Sequence, residues 1–391
     1  MIYVDNAATT QMSKEVLDSM MPYLTEYYGN ASSIYTIGQK SRAAVDEARE
    51  KIAAAIGAKP SEIFFTGCGS EADNWAIKGT AEANRKKGMH LITSAIEHHA
   101  VLHSFAALEK QGFKVTYVPV DKNGLVNPAD VEAAITPETT LISIMTANNE
   151  IGTIQPISEI AEIAKRHKVY FHTDAVQAVG HIPVNVNELG VDMLSVSAHK
   201  FEGPKGVGFL YIKTGTRVGQ FMHGGAQERN RRAGTENVAG IVGMATALEI
   251  AVRDMDKNMA YCKKLRDKYL DFVTSKIDHV IINGDREKRL PGNANTSFEF
   301  IEGESLLLSL DMVGIAASSG SACTSGSLDP SHVLLAIGLP HGIAHGSLRV
   351  TFSHLNTEEE VEQIVDNLVT IVKRLRDMSP LYEDYLKGKK E

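Results

Sequence analysis

Short apolar runs alternate with amphipathic stretches through most of the first 250 residues of the chain. Seven apolar runs have the length of strands: Glu62–Thr66, His90–Thr93, Val115–Val118, Leu141–Met145, Val169–His172, Met193–Val196 and Val207–Ile212. Six stretches repeat their apolar residues with the period of a helix: Ser41–Ile56, Glu71–Lys87, Ala100–Gln111, Pro128–Ile135, Ile157–His167 and Thr235–Val252. This alternation is typical of βαβ units and predicts an α/β fold with a mostly parallel seven-stranded sheet. The loop before the last strand is too short for a helix, so we expect that strand to run antiparallel.

The pattern changes after about Asp256. A long charged helix at Met259–Ile277 precedes the strand-like runs VIIN, NTSFEF and SLRVTF, and a final helix is predicted near Thr357–Asp377. We interpret this part as a smaller α+β domain that packs with the N-terminal segment of the chain. The predicted boundaries assign residues 15–257 to a large domain, and residues 1–14 with 258–391 to the small one.

The composition is that of a soluble globular protein, with 43% hydrophobic and 23% charged residues among 391. A net charge of -8 argues against general binding to nucleic acid or to an anionic membrane, although a local pocket for one phosphate remains compatible with it. Three scattered cysteines are too few for a disulfide framework or a cysteine-rich zinc site, which favours a reducing compartment. No run approaches the ~18 apolar residues of a membrane helix. We expect a cytoplasmic enzyme that is complete from its first residue.

Polar residues follow several predicted strands, at the edge where open parallel sheets bind their ligands. The turn TGCGSE at residues 66–71 has glycines that allow a tight bend, and the N–H groups of the next helix face it. Such a turn can bind an anion, although strand–glycine–helix turns are common without a ligand. Asp174 stands just past the predicted strand VYFH, where its carboxylate could meet a ring nitrogen or cap the following helix.

Lys200 stands between a strand and the rigid loop FEGPKG. A lysine in low-dielectric surroundings loses its charge more easily and becomes a nucleophile for aldehydes. Glu97, His98 and His99 follow another strand; no third ligand stands at metal spacing, so a ring stacked on a cofactor or a helix start is favoured over a metal site. An anion site, a carboxylate, a reactive lysine and a flat ring match the phosphate, ring nitrogen, aldehyde and ring of pyridoxal 5'-phosphate (PLP).

The predicted small domain contains SSGSACTSGS at residues 318–327, and we expect a mobile loop at about 318–330. A cysteine in such a loop does not pack a core, so Cys323 is a candidate nucleophile that could carry sulfur between sites. Cys68 and Cys262 fit the usual role of buried structural cysteines better. Arg349 lies within an apolar strand and needs a partner, which is either a substrate carboxylate or a carboxylate of the protein.

These residues resemble the NifS/IscS-type cysteine desulfurases, PLP enzymes of the class-V aminotransferase family with the aspartate-aminotransferase-like fold type I. The likeness extends from YVDNAATT to the closing helix and rests on EHHAVL, NNEIGTIQPI, HTDAVQAVG, SAHKFEGPKGVG, RRAGTENV and SSGSACTSGSLDPSHVL. By this resemblance Lys200 binds PLP covalently, His98 stacks on its ring and moves protons, and Cys323 accepts the sulfur. The other matching positions are the cofactor residues Gly69, Ser70, Asn149, Asp174, Gln177, Ser197, His199 and Thr235, and the substrate residues Asn149 and Arg349.

The resemblance also implies an activity and its partners. L-cysteine gives up its sulfur, L-alanine is released, and the persulfide on Cys323 passes to an iron–sulfur scaffold of the IscU/NifU type or to another acceptor. Thr235 matches a phosphate contact supplied by the neighbouring subunit, which implies a homodimer. No resident metal is implied, although Cys323 can transiently ligate a nascent cluster with the scaffold. The alternatives are an aminotransferase, a selenocysteine lyase or a β-lyase on the same fold, and an adaptor that lacks PLP.

Overall fold

The computed structural model describes residues 1–319 and 330–388. Strand β1 (Ile2–Tyr3) lies outside the central sheet, which has seven strands: β2 (Ile63–Thr66), β3 (His90–Ser94), β4 (Lys114–Val118), β5 (Thr139–Ser143), β6 (Tyr170–Asp174), β7 (Met193–Ser197) and β8 (Gly208–Ile212). Their order is β2-β8-β7-β6-β5-β3-β4. The strands β3 to β7 pair in parallel, and β8 runs antiparallel to both of its neighbours.

The predicted α/β fold is confirmed, and so is the antiparallel direction of its last strand. Some ends of elements differ from the prediction. The helix predicted at Glu71–Lys87 spans Gly69–Ala83 instead. Asn84 ends it, because its side-chain amide donates to the carbonyl oxygens of Thr80 at 2.8 Å and of Arg217 at 3.0 Å.

Helices cover both faces of the sheet. They are α1 (Lys14–Thr25), α2 (Thr36–Ala55), α3 (Gly69–Ala83), α4 (His99–Glu109), α5 (Pro128–Ala134), α6 (Ile157–His167), α7 (Val186–Leu189), α8 (Gln227–Asn230) and α9 (Val238–Arg253). Alternate residues of one strand point to opposite faces. In β2, Phe65 therefore joins one hydrophobic core and Phe64 the other. Sequence periodicity does not predict α1, since Pro22 interrupts it, but Ser13 caps its start.

A further hydrophobic core surrounds a smaller sheet. The elements of this part of the chain are α10 (Met255–Lys276), β9 (Val280–Ile282), β10 (Asn293–Phe298), α11 (Gly303–Met312), β11 (Ile315–Ala316), α12 (His332–Ala336), α13 (His341–Ala344), β12 (Ser347–Thr351), α14 (Glu358–Asp377) and α15 (Pro380–Gly388). The strands β12, β10 and β9 form an antiparallel sheet in that order. Strand β1 pairs in parallel with β11, and Val4 is buried in this core. The domain boundaries themselves remain predictions. Within the described ranges, no helix has both the length and the apolar character to cross a bilayer.

Candidate active site

Two strand ends meet at one glycine. Gly208 of β8 pairs with Thr66, the last residue of β2, and with Ser197, the last residue of β7. A Cβ atom on Gly208 would lie 2.4 Å from the carbonyl oxygen of Val196, so the close approach of these strands requires glycine. The turn after β2 and the end of β7 therefore open onto the same edge of the sheet.

Helix α3 begins at this edge. A Cβ atom on Gly69 would lie 2.8 Å from a methyl group of Val176 and 3.2 Å from the Cβ of Ser197. The start of the helix is therefore held against the end of β7, with Ser197 buried and Ser70 exposed beside it. Unpaired N–H groups and the helix dipole favour an anion at such a terminus. This arrangement is suited to a phosphate group.

Asp174 ends β6 and is buried. Burial raises its pKa, while the N–H of Val176 and the nearby Lys200 lower it. Burial and the neighbouring Asp174 raise the pKa of Asp73, on α3, well above its usual range. We therefore assign the proton of this pair to Asp73 and the charge to Asp174. The residues after β6 form turns, and Asp174 accepts from the N–H of Val176 at 2.9 Å, so the alternative that Asp174 caps a helix is wrong.

Lys200 ends a single 3-10 turn that directly follows β7. Its Nζ donates to the carbonyl oxygens of Ala7 and Ala8 at 2.7 and 2.8 Å. The side-chain amide of Gln177 donates to the same carbonyl of Ala7 at 3.0 Å. The N-terminal segment therefore contacts two of the predicted cofactor residues. Sequence reasoning assigned no role to Ala7 or Ala8, and the motif YVDNAATT was the only signal for them.

The same segment holds His199. The backbone carbonyl of His199 accepts from the N–H of Thr10 at 3.0 Å and from its hydroxyl at 2.9 Å, and Nδ1 of the ring lies 3.2 Å from the hydroxyl of Thr9. Burial, together with the nearby Lys200 and Lys205, lowers the pKa of His199 to about 4. Its ring is therefore neutral at physiological pH and acts through hydrogen bonds.

His98 stands at the start of α4, where its Nδ1 accepts from the N–H of Ala100 at 3.1 Å. Burial, and then the nearby Lys200, lower the pKa of His98 to about 4, so its ring is neutral. Burial raises the pKa of the preceding Glu97 to about 8. Across residues 1–319 and 330–388, no group of three or more histidine, cysteine or acidic side chains is arranged to hold a metal ion.

Arg349 lies on β12 and is 3% exposed. Its Nη2 donates to Asp5 at 2.9 Å, and its Nη1 donates to the carbonyl oxygen of Asn149 at 2.9 Å. The protein carboxylate that sequence analysis weighed as a partner is therefore present. However, the Nε of Arg349 is buried and has no hydrogen-bond partner in the part of the chain that the structure describes. A carboxylate ligand could accept from this unmet donor.

Besides Arg349, two further predicted site residues are not brought to this edge. Cys323 lies outside the described residues, and Thr235 is exposed in the segment between α8 and α9. Cys68 is also exposed, so its interpretation as a buried structural cysteine is wrong. Cys68 lies in the open turn between the end of β2 and the start of α3. Cys262 is buried, and burial raises its pKa to about 12.

The groups at this edge fit PLP. The start of α3 and Ser197 offer a cradle for a phosphate, which a Cβ atom on Gly69 would partly fill. Asp174 offers a buried carboxylate for a ring nitrogen, His98 offers a neutral ring, and Lys200 offers an amine. The fold and this site define a PLP-dependent enzyme of fold type I.

Comparisons with known proteins narrow the class. Residues 2–364 match the aminotransferase class-V family. The chain is 55% identical over 392 residues to a cysteine desulfurase IscS of Clostridium botulinum, with 100% of this chain and 99% of that protein covered. It is similar to the solved structure of a NifS-like protein (41% identity, TM-score 0.90, 96% and 100% of the two chains covered) and to SspA in complex with cysteine (37%, 0.80, 90% and 99%). The chain belongs to the class-V aminotransferase family and, within it, to the PLP-dependent cysteine desulfurases.

Proposed function

We propose that this enzyme removes the sulfur of L-cysteine, transfers it to Cys323 and releases L-alanine. The observation that carries the proposal is the N-terminal segment, which contacts the amine of Lys200 through Ala7 and Ala8 and the guanidinium of Arg349 through Asp5. Since an extended chain spans at most about 3.6 Å per residue, the Cα atoms of Asp5 and Ala8 lie within roughly 11 Å of each other, and the segment therefore brings the lysine and the arginine into one region. An amino acid has the matching functional groups, an amine and a carboxylate, on a single carbon atom.

Each of four side chains has a separate role in binding and activating the substrate. Arg349 binds and orients the carboxylate through its unmet Nε donor and its Nη groups. PLP, when bound, withdraws electrons from the α-carbon of the substrate. Asp174 keeps the proton of the ring nitrogen in place, and the Nζ of Lys200 takes the proton from the α-carbon. His98 has a neutral ring that can accept a proton and return it.

Sulfur transfer is the step assigned to Cys323. Its thiolate forms a sulfur–sulfur bond to the substrate while the bond between Cβ and sulfur breaks. The electron pair of the broken bond remains with the carbon skeleton, which takes up a proton at Cβ, regains the proton removed from its α-carbon and leaves as L-alanine. Cys323 remains as a persulfide, so the step needs no external oxidant or reductant.

The proposal extends to an acceptor protein and to the assembly. We propose a cytoplasmic homodimer in which Thr235 of each subunit contacts the phosphate held by the other, and its exposure here supports this role. The persulfide then passes to an iron–sulfur scaffold, where Cys323 can transiently ligate a nascent cluster. Sedimentation should give twice the mass of the chain, and labelled sulfur from L-cysteine should move to an added scaffold protein.

Substitution of Cys323 tests the central step. Cys323→Ala should lower the rate of L-alanine release from L-cysteine at least about a hundredfold, because the nucleophile is lost. The variant should still show the change in cofactor absorbance when L-cysteine is added. Cys262→Ala is the matched control, since it removes another thiol and should stay near the wild-type rate. A Cys323→Ala enzyme that releases L-alanine at the normal rate would exclude Cys323 as the nucleophile. Formation of pyruvate and sulfide would show a β-lyase instead, and formation of a 2-oxo acid that keeps its sulfur would show an aminotransferase.

A further inference from the structure

Two serines stand on either side of residues 320–329, and each donates to an acidic side chain. The hydroxyl of Ser318 donates to Oδ2 of Asp5 at 2.9 Å. The hydroxyl of Ser331 donates to Oε2 of Glu150. Ser318 and Ser331 are 7% and 4% exposed, so water competes little for either bond. We call these contacts the two serine–acid pairs.

Both serine–acid pairs are connected to Arg349 by hydrogen bonds of the acid or of its neighbour in the chain. The Oδ1 of Asp5 accepts from Nη2 of Arg349, while Nη1 donates to the carbonyl oxygen of Asn149, the residue before Glu150. Ser318 is also bonded to the backbone of Arg349 in both directions, at 2.6 and 3.3 Å. Ser318 and Ser331, which flank residues 320–329, are therefore both connected through hydrogen bonds and neighbouring backbone to the arginine that would bind the substrate carboxylate.

Glu150 is itself held in place. Its N–H donates to the side chain of Asn148 at 2.8 Å, and its carbonyl oxygen accepts from Asn293 and Asn295 at 3.2 and 3.1 Å. Burial raises the pKa of Glu150 to about 7, while Ser331 and Arg349 lower it. Hydrogen bonds to ionised groups are stronger than those between neutral groups, so Ser331 is held firmly when Glu150 is charged.

We propose that Asp5 and Glu150 are positioning residues for sulfur transfer, which hold both flanks of the segment that carries Cys323 on the arginine that binds the substrate. The inference rests on the proposed function, in which Cys323 attacks the substrate sulfur. Because small displacements of reacting groups cost large factors in rate, loss of either serine–acid pair slows the attack. Binding of the amino acid is spared, since the contacts of Arg349 with Asp5 and Asn149 remain.

The test removes the serine hydroxyls and leaves both acids in place, so that Arg349 keeps its partner. In a single turnover of the PLP-loaded enzyme with L-cysteine, the persulfide on Cys323 is quantified by mass spectrometry. Ser318→Ala and Ser331→Ala should each slow persulfide formation about tenfold, the factor that corresponds to about 1.4 kcal/mol. The dissociation constant for L-alanine, measured from cofactor absorbance, should stay within about twofold of the wild-type value.

Three further variants separate positioning from general destabilisation. Ser309→Ala removes a buried serine hydroxyl that accepts from Arg374 at 2.9 Å, outside both pairs, and should match the wild type. Ser318→Thr keeps the hydroxyl and should restore the rate. Ser331 also caps α12, and Ser331→Gly removes the hydroxyl at a position where glycine is tolerated far better than alanine as a cap. If the cap alone mattered, Ser331→Gly would match the wild type; we expect it to be as slow as Ser331→Ala.

The outcomes are distinct. Wild-type persulfide rates in Ser318→Ala and Ser331→Ala would overturn the inference, and so would a loss of L-alanine affinity that accounts for the whole effect. A wild-type enzyme that forms no persulfide on Cys323 would instead overturn the proposed function. A slowed Ser318→Ala enzyme with unchanged L-alanine affinity supports the inference.

Discussion

The edge of the large sheet and the surroundings of Arg349 are built in different ways. At the sheet edge, Asp174 and Lys200 lie at or just beyond the ends of neighbouring strands, so the order of the strands brings them together. Around Arg349, by contrast, the partners Asp5 and Asn149 lie 344 and 200 residues away along the chain. The difference teaches that the topology of one sheet is enough to bring the predicted cofactor residues together. The predicted substrate residue Arg349, by contrast, is held by segments that are distant along the chain.

The two regions also treat charge differently. At the sheet edge, burial determines which side chains are protonated, because it lowers the pKa values of His98 and His199 and raises that of Asp73. Beside β12, opposite charges meet directly, as Arg349 and Asp5 do at 2.9 Å. We therefore expect the protonation of the sheet edge to be controlled by burial. The surroundings of Arg349 should respond to changes of side-chain geometry and, through Glu150, to pH near 7.

The largest effect should come from Lys200 at the sheet edge. Lys200→Ala should lower the rate of L-alanine release at least about a thousandfold, because it removes both the amine that binds PLP and the base. Lys205→Ala, at an exposed lysine in the same loop, is the control and should stay within about twofold of the wild type. Activity of Lys200→Ala near the wild-type level would exclude Lys200 as the base.

The substrate side is tested by Arg349→Lys, which keeps the charge but loses the planar fork of donors. We expect KM for L-cysteine to rise about a hundredfold, which corresponds to about 2.7 kcal/mol, while kcat changes less. Arg374→Lys is the matched control on α14, where the guanidinium donates to Ser309. If kcat fell and KM stayed constant, Arg349 would position other groups rather than bind the carboxylate.

The phosphate cradle should respond less strongly. Gly69→Ala places a Cβ atom 2.8 Å from Val176, so the start of α3 must move away from β7. We expect affinity for PLP to fall about tenfold, measured by titration of the apoenzyme. Gly342→Ala is the control, since a Cβ atom there has no neighbour within 4 Å among the described residues. Equal PLP affinity in the two variants would place the phosphate elsewhere.

The smallest effect is a dependence of stability on pH at the sheet edge. Burial raises the pKa of Glu97 from 4.5 to about 8. Between these values the folded chain binds a proton that the unfolded chain has lost, so the contribution of Glu97 to stability is full below pH 4.5 and is lost as pH rises through 8. Glu97→Gln cannot lose that proton, and its Tm should exceed that of the wild type by roughly 3 °C at pH 9. Tm values that differ equally at pH 6 and pH 9 would show that Glu97 does not titrate in this range.

Sequence reasoning recovered what local patterns determine. The helix Ile157–His167 was predicted with the bounds that the structure gives, because its amphipathic period is strong and Lys168 ends it in the left-handed conformation. Asp174 and Lys200 were identified because polar residues that follow buried strands stand out in the sequence. Such signals depend on neighbours along the chain, so they describe the sheet edge well.

The rest could not be predicted, because tertiary contacts decide it. Asp5, Glu150 and the two serine–acid pairs have no local signal, since each contact joins distant parts of the chain. The exposure of Cys68 was missed for a similar reason: the sequence showed the turn but not whether other elements cover it. The role of Cys323 rests on the family likeness, since that residue lies outside the described part of the chain.

The contact of Ala7 with Thr351 has a consequence for biosynthesis. The N–H of Ala7 donates to the hydroxyl of Thr351 at 2.9 Å, across 344 residues of chain. Ribosomes make roughly 5–20 residues per second, so this partner of the N-terminal segment emerges some tens of seconds later. Until then the segment lacks the strand that anchors it beside Lys200. We therefore expect nascent chains that end before β12 to capture the cofactor poorly, which places cofactor loading late in synthesis or after release.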